Sequence, residues 1–208
     1  MDLGAAERMT DPEKRPDGSQ LAGRRSMNDV TRSLLLEHDH MREMLNIFDE
    51  QLMIFEKAEQ PDYELLSDSL AYCKDYLGVW HHPREDRLLD LLAKRDAQKA
   101  RSLQDLDGQH RTLAEHTSQV VRVFRDVAER GRVHLREDLV SSGRSLSGEY
   151  RHHIRWEEAN FFPMIEQSLE AADWEVARRD MAKAPHATDP NSVRNRYPAL
   201  FAAIERAA

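Results

Sequence analysis

The feature that most constrains this chain is an apolar helical seam interrupted by ionisable side chains. Leu70, Cys73, Leu77, His81, Glu85, Leu88 and Leu92 follow one another at spacings of three and four, the repeat of one face of an α-helix. His81 and Glu85 stand four residues apart within it, one turn above the other. An imidazole and a carboxylate aimed together into an apolar interior are costly unless something binds them. His82 and Asp86 repeat the spacing, but their companions Asp75, Gly78 and Leu89 make a poorer seam. The spacing therefore predicts that His81 and Glu85 are ligands whose partners come from the rest of the chain.

Three other stretches are built the same way. A helix over about 28–56 carries Leu34, His38, Met41, Leu45, Phe48 and Leu52 on one face. A helix ending near 129 carries Leu103, Leu106, His110, Leu113, Thr117, Val120, Phe124 and Val127. A helix over about 135–169 carries Leu139, Gly143, Leu146, Tyr150, His153, Glu157, Phe161 and Met164. The seam helix itself is expected over about 63–94, opened by Asp62 as N-cap. Pro83 and Pro163 lie inside helices beside these residues, and a kink is expected at each. A lone histidine on an apolar face is ordinarily a core residue with its hydrogen bonds satisfied. One on every helix, with two matched His-x-x-x-Glu pairs, is not what independent core histidines produce.

The four histidines His38, His81, His110 and His153 and the two carboxylates Glu85 and Glu157 suit a first-row transition metal rather than calcium or magnesium, which prefer oxygen shells. Six ligands are too many for one tetrahedral zinc. They suit two iron ions, with carboxylates bridging and positions left open for hydroxide, water or a small diatomic molecule.

Four such helices in 208 residues with 33% charged side chains predict an all-α, up-down-up-down four-helix bundle. Residues 28–170 form it, after a flexible extension over 1–27. A tail over 171–208 follows, with short helices at 174–181 and 198–207. That tail is expected to pack outside the bundle or to serve self-association, so an oligomer is open. The net charge of −8 argues against nucleic acid or anionic membranes as partners. The one cysteine, Cys73, sits on the seam as a buried side chain and excludes an internal disulfide. No run of about 18 apolar residues suggests a membrane span, and the first 26 residues lack the apolar stretch of a secretion signal. A cytoplasmic setting is expected.

In order along the chain, Glu37-His38, the run HHPRED from His81 to Asp86, Gln109-His110 and the run HIRWEEANFFP from His153 to Pro163 resemble the hemerythrin-like, HHE cation-binding domains of bacteria. The resemblance covers about residues 29–170. It implies a non-heme di-iron centre, oxo- or hydroxo-bridged, with His38, His81, Glu85, His110, His153 and Glu157 in the ligand positions. Members of that family carry or sense oxygen, respond to nitric oxide or peroxide stress, or handle iron. The implied partner is a small diatomic or peroxide ligand at iron, without a conventional organic substrate. One departure stands out: Ala114 occupies the place where oxygen-carrying hemerythrins have a second histidine. One iron is then expected to be less saturated, which favours reaction with peroxide or nitric oxide, or iron exchange, over reversible oxygen carriage. Tyr150 either bonds a ligand at the site or packs with its hydroxyl near the surface.

Two other readings compete. A ferritin-like di-iron oxidase would use the Glu-x-x-His pairs Glu37/His40 and Glu149/His152, which miss the stripes. A metal-free interaction bundle would use the histidines for packing alone.

Overall fold

The computed structural model describes residues 27–103, 106–130, 134–182 and 190–207. The extension expected before residue 27 lies outside them. Among the described residues the ordered elements are all helices. Helix α1 (Asp29–Glu56) opens on Asn28, whose side chain accepts the Val30 N–H, and the Asn28 N–H donates to Glu166 at 3.0 Å. Helix α2 (Tyr63–Tyr72) is capped by Asp62, which accepts from Glu64 and Leu65. A π-helical segment (Cys73–His81) carries α2 directly into α3 (His82–Arg95). After α4 (Ala97–Ser102) come α5 (Leu106–Arg130) and α6 (Arg136–Trp156). A second π-helical segment (Glu157–Phe161) joins α6 to α7 (Phe162–Ser168). The chain ends with α8 (Ala171–Met181), α9 (Pro190–Arg196) and α10 (Pro198–Ala207).

The expected accommodation of the two prolines takes the form of these π-helical turns. His82 donates its N–H to the Leu77 carbonyl, and Phe162 to the Glu157 carbonyl, each five residues back and just before a proline. Proline has no N–H to return and crowds the preceding turn, which a wider turn relieves. The wider turn also re-aims side chains. Buried pairs run Ser69/Leu70, Tyr72/Cys73 and Tyr76/Leu77, and the next is His81/His82 rather than Trp80/His81. The same step beyond Glu157 buries Phe161, Phe162 and Ile165, and leaves Met164, expected on the stripe, only partly buried.

Two apolar clusters make the core. One includes Met41, Phe48, Leu52, Leu77, Leu113, Leu146 and Tyr150. The other includes Leu34, Leu35, Leu88, Leu92, Leu106, Phe161 and Phe162. On every long helix the histidine of the stripe falls between a member of each cluster: His38 between Leu35 and Met41, His81 between Leu77 and Leu88, His110 between Leu106 and Leu113, and His153 between Tyr150 and Phe161. A polar layer is thus sealed above and below by apolar ones.

Helix α1 runs along α6 through Gly143, where an added Cβ would lie 2.7 Å from Leu52 Cδ1 and 3.3 Å from Phe48. Leu52 is fully buried and has no room to retreat. Gly143→Val is therefore expected to lower stability by about 1–3 kcal/mol through overpacking, read as a lowered melting temperature in calorimetry.

The tail packs on this framework. Arg87 binds Asp180 at 2.5 Å and Arg95 binds Asp173 at 2.6 Å, joining α3 to α8, while Arg178 binds Asp29 at the start of α1. Glu170 caps α8, and Asp173 completes a capping box three residues on. Residues 190–196 form a further short helix. Leu200, Ala203 and Ile204 of α10, with Tyr197 just before it, join the first cluster, and the Tyr197 ring meets that of Tyr72 edge-on at 5.9 Å.

Candidate metal centre

His38, His81, Glu85, His110, His153 and Glu157, drawn from α1, the seam helix, α5 and α6 with its π-helical extension, converge at 0–5% exposure. His38 Nε2 lies 3.1 Å from His81 Nε2, 3.3 Å from Glu157 Oε2 and 3.6 Å from Glu85 Oε1. His81 Nε2 is 3.2 Å from the same Glu85 Oε1. Across the layer, His110 Nε2 lies 3.6 Å from Glu85 Oε2 and 3.3 Å from Glu157 Oε1, and His153 Nε2 lies 3.0 Å from Glu157 Oε1. Each carboxylate thus turns one oxygen to His38 and the other to His110. Two donors sharing one ion at bonds of about 2.1 Å, with angles of 90–110°, stand about 3.0–3.4 Å apart. Five of the seven separations, at 3.0–3.3 Å, are those of neighbouring ligands on a common ion, and the two from Glu85 to His38 and His110, at 3.6 Å, are slightly longer.

The outer edges of the imidazoles decide where their protons go. His38 Nδ1 lies 3.1 Å from Glu158, which Arg42 holds at 2.6 Å. His81 Nδ1 lies 2.9 Å from Glu37, paired in turn with Arg84. His110 Nδ1 lies 2.7 Å from Asp86, and His153 Nδ1 lies 3.2 Å from the Gln109 carbonyl oxygen. A carboxylate or carbonyl oxygen only accepts, so each Nδ1 carries the hydrogen and each Nε2 presents a lone pair inward. Partners of this kind orient metal-bound histidines and raise their basicity.

The interior is left with more acceptors than donors. Both oxygens of Glu85, Oε2 of Glu157 and Nε2 of His153 are buried without a hydrogen-bond partner, a costly arrangement. Protons compete for these same atoms. Burial opposes charge on His110, but its bonds to Asp86 and Glu157 prevail and raise its pKa to about 10. His38 and His81 are likewise raised against burial by the carboxylates they face. Burial and the Glu157 charge would raise Glu85, yet His81 and His38 lower it to about 2. Nitrogen and oxygen donors in two overlapping groups, His38/His81/Glu85/Glu157 and His82/Glu85/His110/His153, have ligand atoms within 4.8 Å of one another. The residues fit a pair of cations.

The family profile of the hemerythrin HHE cation binding domain matches residues 29–165. The chain belongs to the hemerythrin HHE cation-binding family. Comparison with curated proteins and with solved structures found no match. The all-helical architecture agrees with membership, and no described helix is long and apolar enough to cross a membrane.

Measured against the hemerythrin pattern, the structure adds one residue that spacing missed. His82 is 3% exposed, stacks on His110 at 4.2 Å between ring centroids, and meets His153 edge-on at 5.5 Å. Burial, then the neighbouring His110 and His81, hold its pKa well below the usual value, so it stays neutral with a lone pair to offer. The π-turn put it there, and an α-helical count along the seam does not. Ala114 turns outward to solvent while Leu113 and Thr117 face in, so a histidine at 114 would not meet the site. The expectation of a poorer ligand set from Ala114 alone is thereby revised. Tyr150 follows neither expectation: it is fully buried, its hydroxyl shares a 2.9 Å hydrogen bond with Thr117, and its ring stacks beyond His82. Asp86, Glu37 and Glu158 stand one bond outside the centre. Of the ferritin-like pairs, His40 and His152 are exposed, and Glu149 bonds His116. Neither histidine of those pairs reaches the buried layer, and Glu37 touches it only through His81 Nδ1.

Proposed function

We propose that the protein holds two iron ions at the middle of an up-down-up-down four-helix bundle and binds or reacts with oxygen, nitric oxide or peroxide, or senses iron. One position would be held by His38 and His81, the other by His110, His153 and His82, with Glu85 and Glu157 shared. Iron there would supply redox and Lewis-acid chemistry toward small oxidants. The chain's own part is to keep four Nε2 lone pairs facing inward, to hold two carboxylates ionised and to exclude bulk water. The observation that carries the reading is the pair of split carboxylates, each with an oxygen for either set of imidazoles. A reducing, cytoplasmic setting goes with it: Cys73 is buried and unbridged, and burial pushes its thiol up to about 12.

Anaerobic iron loading tests this directly. About two irons per chain are expected, followed by new visible absorption when oxygen, nitric oxide or peroxide is added separately. A fully folded chain that takes up no iron would leave the metal-free interaction bundle as the better reading. His82→Ala sorts ligand from packing. Loss of about one of the two irons is expected, with the stack on His110 gone; retention of both reduces His82 to a packing role.

A further inference from the structure

The four ligand imidazoles are covered from outside in different ways. An ion pair closes over His38 (Glu158 with Arg42) and another over His81 (Glu37 with Arg84). The Asp86 carboxylate closes over His110. His153 alone of the four has an uncharged cover, the Gln109 amide. It is also a wall of a groove of about 740 Å³ between α5 and α6, lined with Gly108, Gln109, Leu113, Gly148, His152 and Glu149, the last bonded to His116. A Cβ added at Gly148 would meet nothing within 4 Å, so the groove is open where that residue lies.

We propose that this groove is the passage by which a small molecule of two or three atoms, uncharged or singly anionic, reaches the metal centre, with Gln109 as its door. The inference rests on the metal-binding reading and adds a route and a ligand class. The ion pairs over His38 and His81 and the bond of Asp86 to His110 must break to admit anything. An amide both donates and accepts, holds no net charge, and turns aside at the loss of one neutral hydrogen bond. Behind it stands His153, whose Nε2 is buried without a hydrogen-bond partner.

Gly148→Leu projects into the groove from a position where an added Cβ meets nothing within 4 Å and tests the route, with azide as the probe on ferric, iron-loaded protein. Association and dissociation should both slow at least tenfold while Kd stays within about twofold, because a blocked passage delays both directions alike. Gly148→Ala should change neither rate, and neither should Ala159→Leu, placed in a separate groove beside Trp156 and Pro163. In the metal-free protein, deuterium exchange at the His153 imidazole should slow in Gly148→Leu while that of His38 is unaltered. Unchanged azide rates in Gly148→Leu, with two irons bound and an unaltered melting temperature, would overturn the proposal and leave the metal reading standing. A changed Kd at wild-type association rate would overturn it too. Failure of the unsubstituted protein to bind iron would bring down both.

Discussion

Glu85→Ala is expected to empty both metal positions, not one. Its two oxygens face different imidazoles: Oε1 lies 3.2 Å from His81 and 3.6 Å from His38, and Oε2 lies 3.6 Å from His110. Removing it takes one anionic donor from each ion and leaves the cationic pair less neutralised in a buried layer, where charge is weakly screened. Changing residues that only orient ligands typically costs 10–100-fold in metal affinity, so losing a shared ligand should exceed about 100-fold at both positions. Glu157→Ala should behave the same way. His153→Ala, which touches one position only, should retain about one iron. Iron per chain by elemental analysis, with calorimetric titration of the loaded and stripped proteins, distinguishes these patterns. Two tightly bound irons in Glu85→Ala would show that the carboxylate does not bridge.

Metal removal should reverse the pH dependence of stability. In the stripped protein His110 titrates at about 10, above the unfolded value of about 6.5. Its contribution is complete below about 6.5 and disappears as pH rises through 10. Glu85 is depressed to about 2, so its contribution holds above about 4.5 and fails only as pH falls through 2. The stripped protein is therefore expected to be most stable near pH 4.5–6.5 and to weaken toward pH 10. In the loaded protein the same lone pairs are engaged by metal, and stability is lost in acid instead, where protons displace the ions. A ligand at a thousand times its Kd adds about 4 kcal/mol, and a chain of this size shifts about 2–4 °C per kcal/mol. Chelation should thus lower the melting temperature by about 10 °C at pH 9, and by clearly less at pH 6. Parallel melting curves at both pH values check this, and equal shifts would refute it.

Much of this arrangement was legible in the residues because an α-helical count is reliable where the helix is α. Leu34, His38, Met41 and Leu45 are all buried on α1 as their spacing requires, and so are Leu88 and Leu92 of α3. The six candidate ligands could be picked out because a charged side chain on an apolar stripe is conspicuous. His82 could not, since one five-residue turn moves it inward, and the period of the seam holds no trace of that step. Met164 misleads for the same reason, the second wide turn having passed its place to Ile165. Glu37, Asp86 and Glu158 lie off the stripes, where a carboxylate reads as solvated. Their role depends on which imidazole edge they meet across the core, a tertiary fact without a local signature. The adjacency Glu37-His38 was the nearest hint, and it points to the wrong partner: Glu37 serves His81.

The wide turn ending at His81 has a consequence for how this protein can change. Each five-residue turn is one amino acid longer than the regular spiral would need. Excising a single residue between Cys73 and Trp80 would let the spiral close regularly, and the half before it would keep nearly its present facing, since the wide turn already absorbs that residue. Leu66 and Leu70 would stay on the apolar face with His81 and Glu85 on theirs, while Pro83 would again press on the turn before it. A deletion of one residue inside the wide turn is therefore absorbed far better than one in the regular helix on either side, where it would turn the metal-facing half about 100° from the core-facing half.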